Sequence, residues 1–409
     1  MLTRRPHAPT PLRAWLKLAV LATVVAGCAG PVQRDSDLSS ARGGGYRGGA
    51  TVAVLLPHSG RFAGAAQALK DGILAAQAAD EQGKRPQLRF YDTSAAQSAN
   101  ALVQKAAADG ASFVIGPLQK EAVEELARGA GLPVPVLALN RVSTGRSPAN
   151  LYQFSLSPED EAAEAARKAW EGGHRSALML YPSGPWGERM AKGFHQQWLA
   201  LGGRLAATEV YDPDGFHFTQ PIGNLSARAD DADFLFLVAT SQLAREIAPR
   251  VRAMSAYDFP VFATSHIYGG RFDPVADQPI VGTYFVDIPW LVAPDAGDPL
   301  SRERVKQRTP GMQDGLTRLY AMGIDAYRLA PRLAWMASNR GAVVQGKTGK
   351  LRLDSQRNIV RGLTLARFSP SGPALASVET RLWAPAKRLN PDGPLLAARG
   401  APRLAAIPR

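Results

Sequence analysis

The chain holds one cysteine, Cys28, and six histidines, at positions 7, 58, 174, 195, 217 and 266. A single thiol makes no disulfide within the chain and no cysteine-rich metal site. No two histidines are four apart, the spacing that lets a helix face hold zinc. His217 follows Asp212 and Asp214, but YDPDGFHF reads as a Pro/Gly turn that opens a helix. His58 and Ser59 are adjacent, and adjacent side chains on an extended segment diverge, so adjacency makes no nucleophile–base pair. Two glycine motifs resemble phosphate cradles. Gly43 to Gly48 matches G-x-G-x-x-G, yet it follows a polar linker and precedes a strand, whereas a dinucleotide fingerprint follows a strand and opens a helix. Gly341 to Thr348 fits the P-loop pattern letter for letter, with a helix before it and the strand LRLD after it. That order is reversed, so the segment reads as a structural turn. Lys347-Thr348-Gly349 spells the K-T-G of penicillin-binding enzymes, but the Ser-x-x-Lys and Ser-Asp-Asn it needs occur nowhere in the chain. With no complete catalytic constellation, the expectation is a protein that is not an enzyme and carries no metal and no cofactor.

Cys28 acquires a meaning from what precedes it. Leu18 to Ala26 (LAVLATVVA) is an apolar run behind Arg13 and Lys17, far short of the roughly 20 residues of a membrane-spanning helix. A positive region, a short apolar core and small residues at its end make a secretory signal peptide. Its end, Val25-Ala26-Gly27-Cys28, resembles the bacterial lipobox, in which the cysteine becomes the lipidated first residue. Residue 29 is Ala rather than Asp, which in that resemblance implies the outer membrane, facing the periplasm. Residues 1–27 are thus expected to be a lipoprotein signal peptide and 28–49, rich in Gly, Ser, Asp and Arg, a flexible tether.

Composition agrees with an ordinary folded body. At 409 residues with 45% hydrophobic and 20% charged residues, whole-chain disorder and a polytopic membrane protein are excluded. The net charge of +13 is concentrated at the ends. Removing Arg4, Arg5, Arg13 and Lys17 with the leader leaves about +9, and six more basic residues lie beyond residue 380. A nucleic-acid partner is therefore not expected.

The body alternates strand and helix. Residues 51–56 (TVAVLL), 88–92, 113–116 and 134–139 read as strands, each followed by a helical period. The pattern restarts at 151–154, with Ser157-Pro158-Glu159-Asp160 capping a helix. It runs on through strands at 176–181, 204–211, 233–238, 260–264 and 281–286. A long helix, 316–338, is expected to kink at Pro331, and strands at 350–353 and 358–368 follow. The expected class is α/β: two doubly wound lobes with parallel sheets joined by crossover segments, similar to the type I periplasmic-binding-protein-like fold. The expected division is one bilobed body over 50–369, with lobe 1 about 50–150 and 288–340 and lobe 2 about 151–287 and 341–369. A basic Pro/Ala-rich tail spans 370–409. In open α/β sheets ligands bind outside the carboxyl ends of the strands. The candidate cleft residues are therefore His58, Ser59, Gly60 and Arg61 after the first strand, then Gly116 and Pro117, then Asn140 and Arg141. In the second half they are Tyr181, Trp186, Thr240, Ser265, His266 and Tyr268. Trp186 could equally cap its helix against the sheet.

The segments VAVLLPHSGRFAGAAQALKDGI (52–73), FVIGPLQKEAVEELA (113–127), LYQFSLSPEDEAAEAA (151–166), PSGPWGERMAKGF (182–194), FPVFATSHIYGG (259–270) and GKLRLDSQRNIVRGLTLARF (349–368) resemble, in order, the penicillin-binding protein activators, the LppC/LpoA-type outer-membrane lipoproteins. The resemblance implies a non-enzymatic regulator that contacts a class A penicillin-binding protein, a peptidoglycan synthase, and stimulates cell-wall cross-linking. It implies attachment to the outer membrane through a lipid on Cys28. The best-known members carry a helical-repeat domain ahead of the binding-protein-like one, which is not expected here. The alternative is a lipoprotein that binds a small molecule, a peptidoglycan fragment or an amino acid, in the cleft.

Overall fold

The computed structural model describes residues 44–94, 98–142, 147–215, 217–254 and 260–376. The expected signal peptide, Cys28, most of the tether and the tail from 377 onward lie outside the described residues. Among those described, no helix is long and apolar enough to cross a membrane.

Strand β1 (Thr51–Leu56) shows why the body is layered. Its alternation sends Val52, Val54 and Leu56 into one core cluster and Ala53 and Leu55 into another, so both faces are buried. The chain continues through α1 (Ala63–Ala79), β2 (Gln87–Asp92), α2 (Ala99–Ala108), β3 (Phe113–Ile115), α3 (Lys120–Arg128), β4 (Val136–Ala138) and β5 (Leu151–Phe154). Next come α4 (Pro158–Glu171), β6 (Ser176–Pro182), α5 (Pro185–Ala200), β7 (Arg204–Tyr211), α6 (Thr219–Ser226), β8 (Phe234–Leu237), α7 (Ser241–Met254), β9 (Val261–Ala263) and β10 (Tyr284–Asp287). The remainder is α8 (Pro289–Val292), α9 (Arg302–Arg308), α10 (Thr317–Leu329), α11 (Leu333–Ser338), β11 (Val343–Gln345), β12 (Lys350–Leu353), β13 (Asn358–Gly362), β14 (Thr364–Ser369) and β15 (Gly372–Leu375).

Lobe 1 is a sheet in the order β11-β12-β13-β5-β4-β3-β1-β2, and lobe 2 one in the order β15-β14-β10-β9-β8-β6-β7. Six neighbouring strands of the first, from β13 to β2, and five of the second, from β10 to β7, run parallel. The strands beyond them are antiparallel, so both sheets are mixed rather than wholly parallel. Each parallel core has the doubly wound order 2-1-3-4-5, with its switch points beside β1 and β6. The chain passes between lobes after β5, after β10 and at Leu363.

Five expected boundaries are corrected. Leu151–Phe154 belongs to lobe 1, because it pairs with β4 (Val136 opposite Leu151). Residues 343–362 also belong to lobe 1: β13 pairs with β5, and the buried Gln153 Nε2 donates to Asn358 Oδ1 at 3.1 Å. Hydrophobic periodicity reports that a segment is a strand and not which sheet accepts it. The expected strand 358–368 is therefore two, broken at the third crossing. The tether is shorter than 28–49, since Tyr46 is buried against Tyr327 and donates to its carbonyl at 2.7 Å. The tail begins later than 370, because β15 pairs with β14. As expected, Pro331 interrupts the long helix, which splits into α10 and α11 around a single 3-10 turn.

Two helices approach unusually closely. A Cβ on Gly72 of α1 would lie 2.1 Å from the Tyr320 carbonyl oxygen of α10, and one on Gly323 2.2 Å from that of Leu69. The missing side chains let the backbones touch, which fixes α10 and the seam residue it carries. In lobe 2, α4 starts as its sequence dictates: Ser157 Oγ accepts from the Asp160 N–H, Pro158 sits at the first turn, and Glu159, Asp160 and Glu161 follow.

Candidate functional site

The parallel strands β4, β9, β10 and β13 bring their C-terminal ends to the seam between the lobes, and charged side chains meet there. Glu161, one turn into α4, is 2% exposed. Its Oε2 accepts from Ser265 Oγ at 2.6 Å, and its Oε1 lies 3.3 Å from Nη2 of Arg361 on β13. His266 Nδ1 is 3.7 Å from the same carboxylate and 3.1 Å from Thr264 Oγ1, while the ring of Trp186 meets the imidazole edge-on at 5.2 Å. Arg318, at the start of α10, reaches Asp287 at the end of β10 with Nε–Oδ1 2.9 Å and Nη2–Oδ2 2.5 Å. The same Nη2 donates to the carbonyls of Ser265 and Tyr268. Arg141, after β4, grips Asp160 through both guanidinium ends at 2.9 and 2.8 Å. Three arginines of lobe 1 thus hold three carboxylates of lobe 2.

The electrostatics follow from this pairing. Burial works to raise the Glu161 pKa, but Arg361, then His266 and Arg318, then the Ser265 hydroxyl outweigh it and hold the carboxyl below its usual range. Burial opposes the charge on Arg318, and Asp287 more than restores it. Burial lowers the His266 pKa against the pull of Glu161, which favours the neutral imidazole. Burial raises the Asp287 pKa against the pull of Arg318, so Arg318 and Arg361 face Glu161 and Asp287 beside a histidine that favours its neutral form. Arg361 keeps spare donors, since its Nε and Nη1 are buried and meet no acceptor among the described residues.

The other candidates fall in different places. His58, Ser59, Gly60 and Arg61 form an exposed rim on lobe 1. The His58 N–H donates to Asp92, whose pKa falls to about 2, chiefly through the Ser94 hydroxyl and N–H and then His58. The Arg61 guanidinium lies over the Phe62 ring. Gly116 has φ +105° and rests on the Leu55 carbonyl, where a Cβ would come within 2.2 Å, and Pro117 behind it is buried. Asn140 Nδ2 donates to the Leu118 carbonyl and its Oδ1 accepts from the Arg141 N–H, so it shapes its own loop. Thr240 Oγ1 accepts from the Leu243 N–H and starts α7. Tyr181 is half-buried against the core. Tyr268 is corrected: its ring packs on Phe285 and Phe368 inside lobe 2 rather than on a cleft wall.

Sequence reasoning missed Glu161, Asp287, Arg318 and Arg361. The available signal was a lone charge in an apolar run: Arg318 in LTRLYAMGI, Asp287 closing TYFVD, Arg361 in NIVRG. The turn at 346–349 is structural, as expected. Buried Asp325 accepts from the N–H groups of Lys347 and Thr348, both at 2.7 Å, and from Thr348 Oγ1 at 2.6 Å. Chemically the seam is a clasp. Ser265 Oγ donates to Glu161, and Arg361 holds that carboxyl below its usual pKa, which makes it a weak base toward the hydroxyl.

The family described as "LppC putative lipoprotein" matches residues 48–371. The penicillin-binding protein activator LpoA of Serratia proteamaculans is 33% identical over 304 residues, covering 66% of this chain and 44% of that protein. That of Photobacterium profundum is 29% identical over 350 residues, covering 78% and 56%. The chain thus spans about half the length of the curated relatives it matches. Among solved structures, the LpoA C-domain from Haemophilus influenzae, described as a regulator of PBP1A, superposes with TM-score 0.66 at 23% identity, covering 80% of this chain and all of that one. A "putative branched-chain amino acid ABC transporter" structure from Chromobacterium violaceum superposes with TM-score 0.62 at 29% identity, covering 78% and 99%.

Proposed function

The chain belongs to the LppC family of lipoproteins, and on that premise we propose that it regulates a penicillin-binding protein by direct contact: it binds a class A peptidoglycan synthase, stimulates its transpeptidase and catalyses nothing itself. The observation that carries this reading is the match of residues 48–371 to the LppC family model, together with the likeness to relatives named as penicillin-binding protein activators. The seam supports it. Arg141, Asn140 and Ser265, which a small ligand would need, already serve contacts within the protein. A body whose lobes are clasped presents a fixed outer surface to a protein partner.

In this reading Cys28 carries lipid in the outer membrane and the body faces the periplasm. Tyr46 is docked, so the link is residues 29–45, which span at most about 60 Å when extended. The synthase must come within that reach. Surface plasmon resonance between the chain and purified cognate class A synthase tests the contact. Saturable binding supports the proposal, and no binding by any cognate synthase removes it.

A second reading is supported by the likeness to the Chromobacterium structure and by the spare donors of Arg361: a periplasmic protein that holds an amino acid or muropeptide in the cleft. A ligand that binds only the folded state raises the melting temperature. A flat thermal-shift screen against amino acids and muropeptides would remove this reading.

A further inference from the structure

A cavity of about 610 Å³ lies on lobe 1, between α1 on one side and the end of α9, the loop after it and the start of α10 on the other. None of the candidate cleft residues lines it. Its volume falls in the range of small-molecule sites, roughly 300–1,000 Å³. Its shape follows from the α1 residues on its wall. These begin at Gly64, include Gln67, Asp71 and Leu74, and end at Ala78, at spacings of three and four that select one helix face. At 1.5 Å per residue that stripe is about 21 Å long, so the cavity is a groove that admits about six extended residues.

The groove carries opposite charges on opposite walls. Asp71 is half-buried, with Gln67 Nε2 donating to its Oδ1 at 2.7 Å. Burial pushes its pKa up against the Gln67 hydrogen bond and the neighbouring Lys70 charge, so a cationic group at this carboxylate would be stabilising. Across from it, Arg308 is exposed. Arg302 and Lys306 of the same helix are both held by Asp314, at 2.7 and 2.9 Å, whereas Arg308 has no ion pair among the described residues. The exposed Gln313 adds an amide, and Leu74 and Tyr320 add an apolar floor. A ligand matching these walls has an ammonium, a carboxylate, peptide groups between them and small apolar side chains.

We propose that this groove binds a short zwitterionic peptide, its ammonium at Asp71 and its carboxylate at Arg308. The inference stands apart from the synthase reading, since the groove shares no residue with the seam. Two sources supply such a peptide in a cell envelope: stem peptides released from the glycan of the cell wall, whose L-Ala nitrogen then becomes an ammonium, and the products of protein breakdown. Calorimetric titration of the full chain separates them. The probes are L-Ala-γ-D-Glu-meso-diaminopimelate, free trialanine, and trialanine blocked by N-acetyl and C-amide groups.

At least one free tripeptide is expected to bind, at least about tenfold tighter than the blocked one. Asp71→Asn and Arg308→Ala are each expected to weaken it about tenfold or more, with the melting temperature unchanged. Binding of the stem peptide alone assigns the site to the cell wall, and equal binding of trialanine assigns it to peptides in general. The proposal is overturned if neither free peptide binds up to about 10 mM, if the blocked peptide binds as well, or if both variants bind like the native chain.

Discussion

Arg361→Met tests the seam at its most buried pair. Arg361 is 3% exposed and Glu161 2%, with 3.3 Å between Nη2 and Oε1. Removing one partner of such a pair strands the other charge, which costs about 3–5 kcal/mol. The two donors that Arg361 leaves unpaired disappear with it, which offsets about 1–2 kcal/mol. The net loss expected at pH 7 is about 2–3 kcal/mol, or roughly 3–4 °C in melting temperature for a body of this size.

The pH dependence should change sign. In the native chain Glu161 has a depressed pKa, so its contribution is present above the unfolded value of about 4.3 and lost as pH falls. Without Arg361, burial dominates and raises that pKa. The variant's deficit is then smallest at low pH and grows as pH rises through the raised value. Urea midpoints between about pH 3 and pH 8, read by tryptophan fluorescence, follow both effects. The double variant Glu161→Gln/Arg361→Met removes the stranded charge and should recover at least half of the loss. A single-variant loss below about 1 kcal/mol at pH 7, or a double variant no better than the single, would refute the clasp as argued.

Other consequences are simpler. Gly72→Ala puts a Cβ 2.1 Å from the Tyr320 carbonyl oxygen, where only backbone could move, so a loss of about 3 kcal/mol is expected by urea denaturation. A change under about 1 kcal/mol would mean that α1 and α10 separate easily. His174 is buried between Phe234 and Phe262, and burial lowers its pKa to about 4. The unfolded chain therefore takes up that proton first as pH falls from about 6.5 to about 4, and stability falls across this window by up to about 3 kcal/mol. His174→Gln should flatten that slope, and an unchanged slope would count against the assignment. Arg141→Lys cannot keep both contacts to Asp160, and faster amide exchange at the start of α4 is expected; unchanged exchange would show that the clamp is dispensable.

Much of the architecture is legible in the sequence because its signals are local. TVAVLL marks a strand buried on two faces, and SPED marks a capped helix start. The assignment of strands to lobes was not legible. LYQF follows the last helix-and-strand unit of lobe 1 and precedes the first helix of lobe 2, so its position favours neither sheet. The hydrogen bond from Gln153 to Asn358 decides the matter, and it joins residues about two hundred positions apart. The seam was half legible. Ser265, His266 and Arg141 emerge from the rule that strand ends line sites. Glu161 lies just past the capping run Ser157 to Asp160 and was not singled out, and Arg361 was visible only as a charge in a strand. Their partnership exists because the chain crosses to lobe 2 before α4 and back to lobe 1 before β13, which folds the two against each other.

The central proposal concerns activation of a synthase, and a lipid II polymerisation and cross-linking assay tests it most directly. Purified chain would be added to the cognate class A penicillin-binding protein, and the cross-linked fraction measured by muropeptide chromatography. The account predicts that the cross-linked fraction rises with added protein and saturates, and that no cross-links form when the chain is present without the synthase. An unchanged fraction at saturating protein, with every cognate class A synthase, would contradict it.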